Sequence, residues 1–205
     1  DGKDEIIGFD IDIAQAIADE LGVELEVKDM AFDGLIPALS TGKIDMIIAG
    51  MNATEERKQS VDFTDVYYTQ TDIVVIRKED ADKFTSEDSL KTAALATQKA
   101  TVQETYLLET FPDAEIQSVP KWNTAIMSLT TGKVDAVMMV DTVAKQFIAQ
   151  NDDLMVANFD INSTPNAAAI AVAKNGGDFL ETVNNIVNEM KESGKIEELY
   201  QLNDQ

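Results

Sequence analysis

Apolar residues recur along this chain with two periods. Phe9, Ile13, Ile17 and Leu21 fall every fourth position and Gly22 follows, which predicts a helix over 9–21 closed by glycine. Val23 to Val27 alternates apolar with acidic residues, a strand pattern. Leu35 to Leu39 begins a second helix, and the apolar run Ile44 to Ala49 reads as a buried strand. Thr54 is placed to open a third helix, with Glu55 and Glu56 in its positive first turn. Ile73 to Ile76 is a further apolar strand.

The pattern then restarts. Ala93 to Ala96 is strand-like, and Thr101-Val-Gln-Glu104 is a capping box opening a helix through Thr110. Ile116 to Val119 reads as a strand, Thr124 to Leu129 as a helix, Val134 to Val140 as a buried strand and Thr142 to Ala149 as a helix. Trp122 falls on a loop after Pro120 and reads as packing. Ala167 to Ala173 is a strand of small residues. Asp178 with Glu181 can cap a helix to Met190, and a last helix runs from about Lys195 to Leu202. The restart has a sequence echo: Leu39-Ser-Thr-Gly42-Lys43-Ile44-Asp45 returns as Leu129-Thr-Thr-Gly132-Lys133-Val134-Asp135. Any helix-to-strand joint favours glycine there, but five shared residues at one offset point to a duplicated lobe. Two αβ lobes in sequence imply parallel sheets, whose ligands sit at the carboxyl ends of strands, and a cleft between lobes would face both sets of ends.

Composition narrows the chemistry. The 205 residues are 44% hydrophobic, and no apolar run reaches the ~20 residues of a membrane span. Sixteen basic against thirty-eight acidic residues give a net charge of −22, which disfavours nucleic acid and anionic lipid. With no cysteine and no histidine, thiol nucleophiles, zinc on those ligands and Ser-His-Asp hydrolysis are excluded. No catalytic residue, metal ligand or cofactor is expected.

Arginine is scarce: Arg57 and Arg77 stand against fourteen lysines. A guanidinium holds a carboxylate through two parallel hydrogen bonds, which lysine does not do. Arg57 follows the carboxyl end of the 44–49 strand, in Gly50-Met-Asn52-Ala-Thr54-Glu-Glu-Arg57, where it suits a carboxylate clamp; its plainer role is a surface pair with Glu55 or Asp62. Asp141 ends the 134–140 strand. As a helix N-cap it would be ordinary; as a cleft-facing carboxylate it could receive an ammonium, and one oxygen for each role makes the two compatible. The N–H groups of Thr101 and Val102 at a helix start offer an anion site. Phe32, on a loop in Ala-Phe-Asp-Gly, is either core or one wall of an apolar pocket.

All of these candidate residues but Asp141 lie in longer motifs: Phe32-Asp-Gly-Leu-Ile-Pro-Ala-Leu through Gly50, Thr54-Glu-Glu-Arg57 running to Val61-Asp-Phe-Thr-Asp-Val-Tyr-Tyr68, and Gln98 to Glu104; Gly8-Phe-Asp-Ile-Asp-Ile-Ala and Gly132-Lys-Val-Asp-Ala-Val join them. In them the chain resembles the bacterial extracellular amino-acid-binding proteins of ABC importers, solute-binding protein family three. The resemblance covers nearly the whole chain. It implies a type II periplasmic-binding-protein (Venus flytrap) fold, with mostly parallel sheets flanked by helices. Residues 1–72 and 169–205 would form lobe 1 and 73–168 lobe 2, joined by crossing strands near Asp72 to Arg77 and Thr164 to Ile170. Arg57 would hold a ligand α-carboxylate, helped by Gly50, Asn52, Thr101 and Val102, partly through backbone N–H. Asp141 would hold the α-ammonium, and Phe32 would pack on the side chain.

The implied partners are a free polar or basic L-amino acid (glutamine, arginine, lysine or histidine class) and an ABC-transporter permease. The implied location is extracellular or periplasmic, with a lipid anchor on the precursor. Three departures stand out. Asp1-Gly-Lys-Asp-Glu5 occupies the place of a first strand and an aromatic-rich loop, so the first strand of lobe 1 is expected to be missing. Ala100 replaces a glycine, and Asn52 a serine or threonine. A receptor's ligand-sensing domain and a periplasmic dehydratase-like enzyme are the competing readings on the same fold.

Overall fold

The computed structural model describes residues 6–203; the expectation attached to residues 1–5 lies outside them. The described elements run α1 (Phe9–Leu21), α2 (Leu35–Ser40), β1 (Met46–Ile47), β2 (Val61–Gln70), β3 (Asp72–Arg77), β4 (Ala94–Gln98), α3 (Val102–Thr110), β5 (Glu115–Val119), α4 (Trp122–Thr130), β6 (Ala136–Val140), α5 (Asp141–Ala149), β7 (Leu154–Val156), β8 (Asn166–Ala173), α6 (Gly177–Glu192) and α7 (Lys195–Asn203). They form two compact units. The first holds residues up to 30, 34–69 and 167 onward; the second holds 31–33 and 70–166.

The first unit is built on a three-stranded sheet in the order β1-β8-β2. Small residues of β8 are buried from Ala168 to Val172, which lets helices pack close on the central strand. Ile13 and Ile17 of α1, Val183 and Val187 of α6, and Ile196 and Leu199 of α7 share a core with Tyr67 and Ile170. The Val61–Asp65 motif stitches this unit together. Asp62 accepts from Lys174 Nζ and Asn175 N, both at 2.7 Å, where the chain turns from β8 into α6. Thr64 Oγ1 accepts from Ile170 N at 3.1 Å, and Asp65 accepts from Asn184 and Asn188 of α6. These hydrogen bonds hold the Asp62 and Asp65 carboxyls below the usual carboxylate range.

The second unit has a five-stranded sheet in the order β5-β4-β6-β3-β7. Successive side chains take opposite faces. Val74 and Ile76 therefore join Leu95, Ala136 and Met138 on one side, and Val75 joins Ala96, Val137 and Met139 on the other. β5-β4-β6 is parallel; β3 runs antiparallel to β6 and β7, and β1 antiparallel to β8. The expected parallel pairing flanked by helices is found in the β5-β4-β6 core, and β6 and β7, joined by α5, also run parallel to each other with antiparallel β3 between them.

Several local expectations are corrected. Val23–Val27 is not a strand: it pairs with no described strand, and Val23 is 57% exposed. The 44–49 strand keeps only Met46–Ile47 in its ladder. Thr54 opens no α-helix, only a turn and the short 3-10 segment Arg57–Gln59. Trp122 is the first residue of α4 rather than a loop residue, and Asp178 is inside α6, whose N-cap is Gly176. The ten-residue strand β2, which carries Asp62 and Asp65, was not legible as one.

Candidate functional site

In the first unit the site is made by an interruption of the β1–β8 ladder. Met46 and Ile47 face Val172 and Ala171, and pairing resumes as a bridge between Asn52 and Ala168. Four residues, 48–51, therefore stand opposite two, 169–170. Such a bulge re-aims the chain beyond it. Gly50 turns it with φ 58°, a left-handed conformation that costs little without a Cβ. Ala169 N donates to Met51 O at 2.9 Å, fixing the far side.

The chain leaves the bulge with the Asn52 carbonyl accepting from Arg57 Nη1 at 2.9 Å and from Thr54 N at 3.0 Å. Thr54 Oγ1 accepts from Arg57 N at 3.2 Å. The guanidinium is half-buried, and burial pushes its pKa below the ordinary arginine value, with neighbouring Glu56 acting the other way; it remains a cation. The surface-pair role finds its two carboxylates engaged elsewhere: Glu55 pairs with Lys58 at 2.8 Å, and Asp62 with Lys174. The Gly50 N–H donates to Tyr67 Oη at 3.2 Å, and Tyr67 donates to Asp10 Oδ1 at 2.8 Å. Burial pushes the Asp10 carboxyl up, against the lowering effect of the hydrogen bonds it accepts from the Tyr67 O–H and from the Gly50 N–H.

In the second unit, the parallel strands β4 and β6 end level, since Ala96 faces Val137 and Thr97 Oγ1 donates to Met138 O at 3.0 Å. Antiparallel β3 begins at the same edge, Asp72 facing Val140. The starts of α3 and α5 are thereby set side by side at the carboxyl edge of the sheet, where α/β sheets bind ligands. Thr101 caps α3: its Oγ1 accepts from Glu104 N at 3.3 Å and donates to Gln98 O at 2.6 Å. Glu104 reaches back to Ala100 N at 2.6 Å, one residue earlier than a standard capping box. Ala100 takes φ 63° where glycine would be relaxed. The N–H groups of Thr101 and Val102 have no helical carbonyl to reach.

Asp141 is the first residue of α5 rather than its N-cap. Its Oδ1 accepts from Thr142 N at 2.9 Å and Thr71 N at 3.3 Å, and its own N–H donates to Thr71 O at 2.9 Å. One oxygen thus fixes the side chain, while Oδ2 has no donor among the described residues. Phe32 lies half-buried in a 3-10 turn whose next residue, Asp33, pairs with Lys99 at 3.2 Å, which holds this turn beside the start of α3. Buried Asp72 accepts from Gln103 and Ser163, each at 2.7 Å, and from Asn166. So Gly50, Asn52 and Arg57 are brought together in one unit, and Phe32, Thr101, Val102 and Asp141 in the other. Sequence reasoning passed over Asp10, Tyr67 and Asp72; all three sit in polar-apolar runs that read as ordinary helix or strand. No cluster of metal-ligating side chains exists among the described residues, and no described helix is long and apolar enough to cross a membrane.

Comparison with known proteins agrees with this architecture. The family described as bacterial extracellular solute-binding proteins, family 3, matches residues 1–202. The arginine-binding extracellular protein ArtP of Bacillus subtilis is 32% identical over 199 residues, 96% of this chain and 77% of that protein. A probable histidine-binding protein of Campylobacter jejuni is 35% identical over 191 residues, 93% and 73% of the two chains. Among solved structures, the amino acid ABC transporter substrate-binding protein AbpA of Streptococcus pneumoniae, bound to L-arginine, superposes with a TM-score of 0.93 at 35% identity, covering 98% of this chain and 85% of that one.

Proposed function

Because the chain belongs to the bacterial extracellular solute-binding proteins of family 3, we propose that it binds a free L-amino acid of the arginine, lysine, histidine or glutamine class and delivers it to an ABC-transporter permease. Arg57 takes the α-carboxylate. Its guanidinium is half-buried and already aimed by the Asn52 carbonyl, so little rotamer freedom is lost on binding. The N–H groups at the start of α3, Thr101 and Val102, suit the same anion. Asp141 takes the α-ammonium through Oδ2, and Phe32 offers a face to the side chain, which for a guanidinium or ammonium adds a cation–π contact. Binding proceeds without covalent chemistry, outside the cytoplasmic membrane; a lipid anchor on the precursor is the finer expectation, read by mass spectrometry of protein from its native cells.

The observation that carries this reading is the aimed guanidinium of Arg57 in the first unit, supported in the second by an Asp141 carboxylate with one oxygen open among the described residues. Relatives named for arginine and histidine support placing donor-rich side chains first. Isothermal calorimetry with L-arginine, L-lysine, L-histidine and L-glutamine tests it. Arg57→Ala and Asp141→Asn should each weaken the best ligand by about 3 kcal/mol, the cost of leaving a buried charge unpaired. Unchanged affinity in both variants rejects the assignment. Substrate turnover of a cyclic carboxylic acid would favour the dehydratase-like reading instead.

A further inference from the structure

The Ile48–Met51 bulge raises a question that its own residues do not answer. Two extra residues in a ladder are free to slide unless something outside the ladder holds them. Here the external hold is Tyr67, on β2, whose oxygen accepts the Gly50 N–H at 3.2 Å and whose O–H is committed to Asp10 on α1 at 2.8 Å. The ring is 4% exposed and belongs to the core with Ile13, Ile17 and Ile170, so it has one place to stand. Asp10 follows Phe9, which packs edge-on against Tyr68 and tilted against Tyr67. Two residues past Gly50, the Asn52 carbonyl meets Arg57 Nη1. A rigid core thus connects, through three hydrogen bonds in series, to the guanidinium.

We propose that Asp10 and Tyr67 are positioning residues of the anion site: their hydrogen-bonded pair pins the 48–51 bulge and so aims Arg57. The inference rests on the reading of Arg57 as the carboxylate partner for its effect on affinity, but not for its effect on geometry. Tyr67→Phe keeps the ring and the core while removing both hydrogen bonds. The Gly50 N–H then keeps only the neighbouring Asp10 carboxylate as an acceptor among the described residues, and the bulge loses the hold that is anchored on the buried ring. Asp10→Asn is the conservative counterpart, because an amide oxygen still accepts from the Tyr67 O–H.

Two readouts separate this role from a merely structural one. The chain has two arginines, so a nitrogen-15 correlation spectrum of the ligand-free protein carries two Nε–H signals, and Arg77 serves as the internal control. Tyr67→Phe should move the Arg57 signal and leave that of Arg77 in place, and it should weaken L-arginine binding about tenfold, the loss of one hydrogen bond of ordinary strength. Asp10→Asn should leave the Arg57 signal and the affinity within about threefold of the parent. An unmoved Arg57 signal in Tyr67→Phe overturns the proposal, whether or not any amino acid binds. If Asp10→Asn loses as much affinity as Tyr67→Phe, charge rather than hydrogen bonding is at work, and the relay is equally overturned. Failure of Arg57→Ala to affect binding, with the Arg57 signal still moved by Tyr67→Phe, would instead reject the carboxylate assignment and leave the relay standing.

Discussion

The two copies of the repeat make the same turn and then part company. In the first, Thr41 N donates to Pro37 O, Gly42 N to Leu39 O and Lys43 N to Ala38 O; in the second, Thr131, Gly132 and Lys133 donate to Met127, Leu129 and Ser128 in the same pattern. Both threonine hydroxyls donate to a helix carbonyl four residues back, and the glycines match at φ 68° and 71°. The strands that follow differ. β6 is five residues long and lies between β4 and β3, whereas β1 has two ladder residues, one strand neighbour among the described residues and then the bulge. Around the second copy, Arg77 Nη1 donates to Leu129 O and Val134 O, each at 2.7 Å, and Asp135 accepts from Ala94 N at 3.0 Å. Around the first, the exposed Lys28 is the one side chain beyond the turn that reaches it among the described residues, donating to Lys43 O at 3.2 Å. Local sequence sets the turn; the partners waiting beyond it decide whether a strand or a binding loop follows.

That comparison breaks most readily at Arg77. Replacing it by methionine uncovers two carbonyls and leaves Asp80, which is 3% exposed, without its buried cation. We expect a loss of about 3–5 kcal/mol in urea unfolding followed by the fluorescence of Trp122, the single tryptophan, which sits in the same unit. Lys28→Ala, the counterpart at the first copy, should cost under about 0.5 kcal/mol. Gly42→Ala and Gly132→Ala should each cost about 1 kcal/mol by circular dichroism, and by similar amounts, because both glycines have left-handed φ and open space around the missing Cβ. A clear inequality would mean that the turns are held differently despite their shared hydrogen bonds.

The start of α1 and the end of β3 extend the contrast to buried carboxyls. Asp80 lies between Lys83 and Arg77, whose hydrogen bonds and charges hold its carboxyl below the usual range. Asp10 has Tyr67 and the Gly50 N–H as its neighbours and is pushed up by burial. The signs are opposite. The stability from Asp80 is present above the ordinary carboxylate pKa and is lost as pH falls through its depressed value. The carboxylate of Asp10 costs stability above its raised value, and that cost fades as pH falls towards the ordinary one. Asp10→Asn should therefore be as stable as the parent or more so at pH 7, with the difference shrinking on acidification; thermal unfolding across pH 4–7 reads it. A small gain is expected at Ala100, where glycine should relieve the strain of φ 63° and raise stability by about 0.5–1 kcal/mol.

Much of this was legible in the sequence where the cause is local. The four-residue spacing of α1, the Thr101–Glu104 cap and the duplicated turn need only neighbours along the chain. What was hidden depends on distant partners. Ile44 to Ala49 reads as one strand because nothing in an apolar run marks a bulge; the mark is Tyr67, seventeen residues beyond Gly50. Val23 to Val27 has the alternation of a strand and no described strand beside it. β2 was obscured because Asp62 and Asp65 break its apolar pattern, and both are explained only by α6 residues and the turn before it, more than a hundred positions away. Arg57 and Asp141 could be named from residue type and position, but not the one oxygen of Asp141 that stays open.

The most direct test compares each candidate amino acid with the amine that lacks its carboxylate: L-arginine with agmatine, and L-histidine with histamine, by calorimetry on the unmodified protein. If the Arg57 guanidinium grips the α-carboxylate, the amino acid binds and its amine is at least about a hundredfold weaker, as expected when a charge-assisted bidentate contact is lost from a half-buried site. Equal affinity for the two would contradict the account.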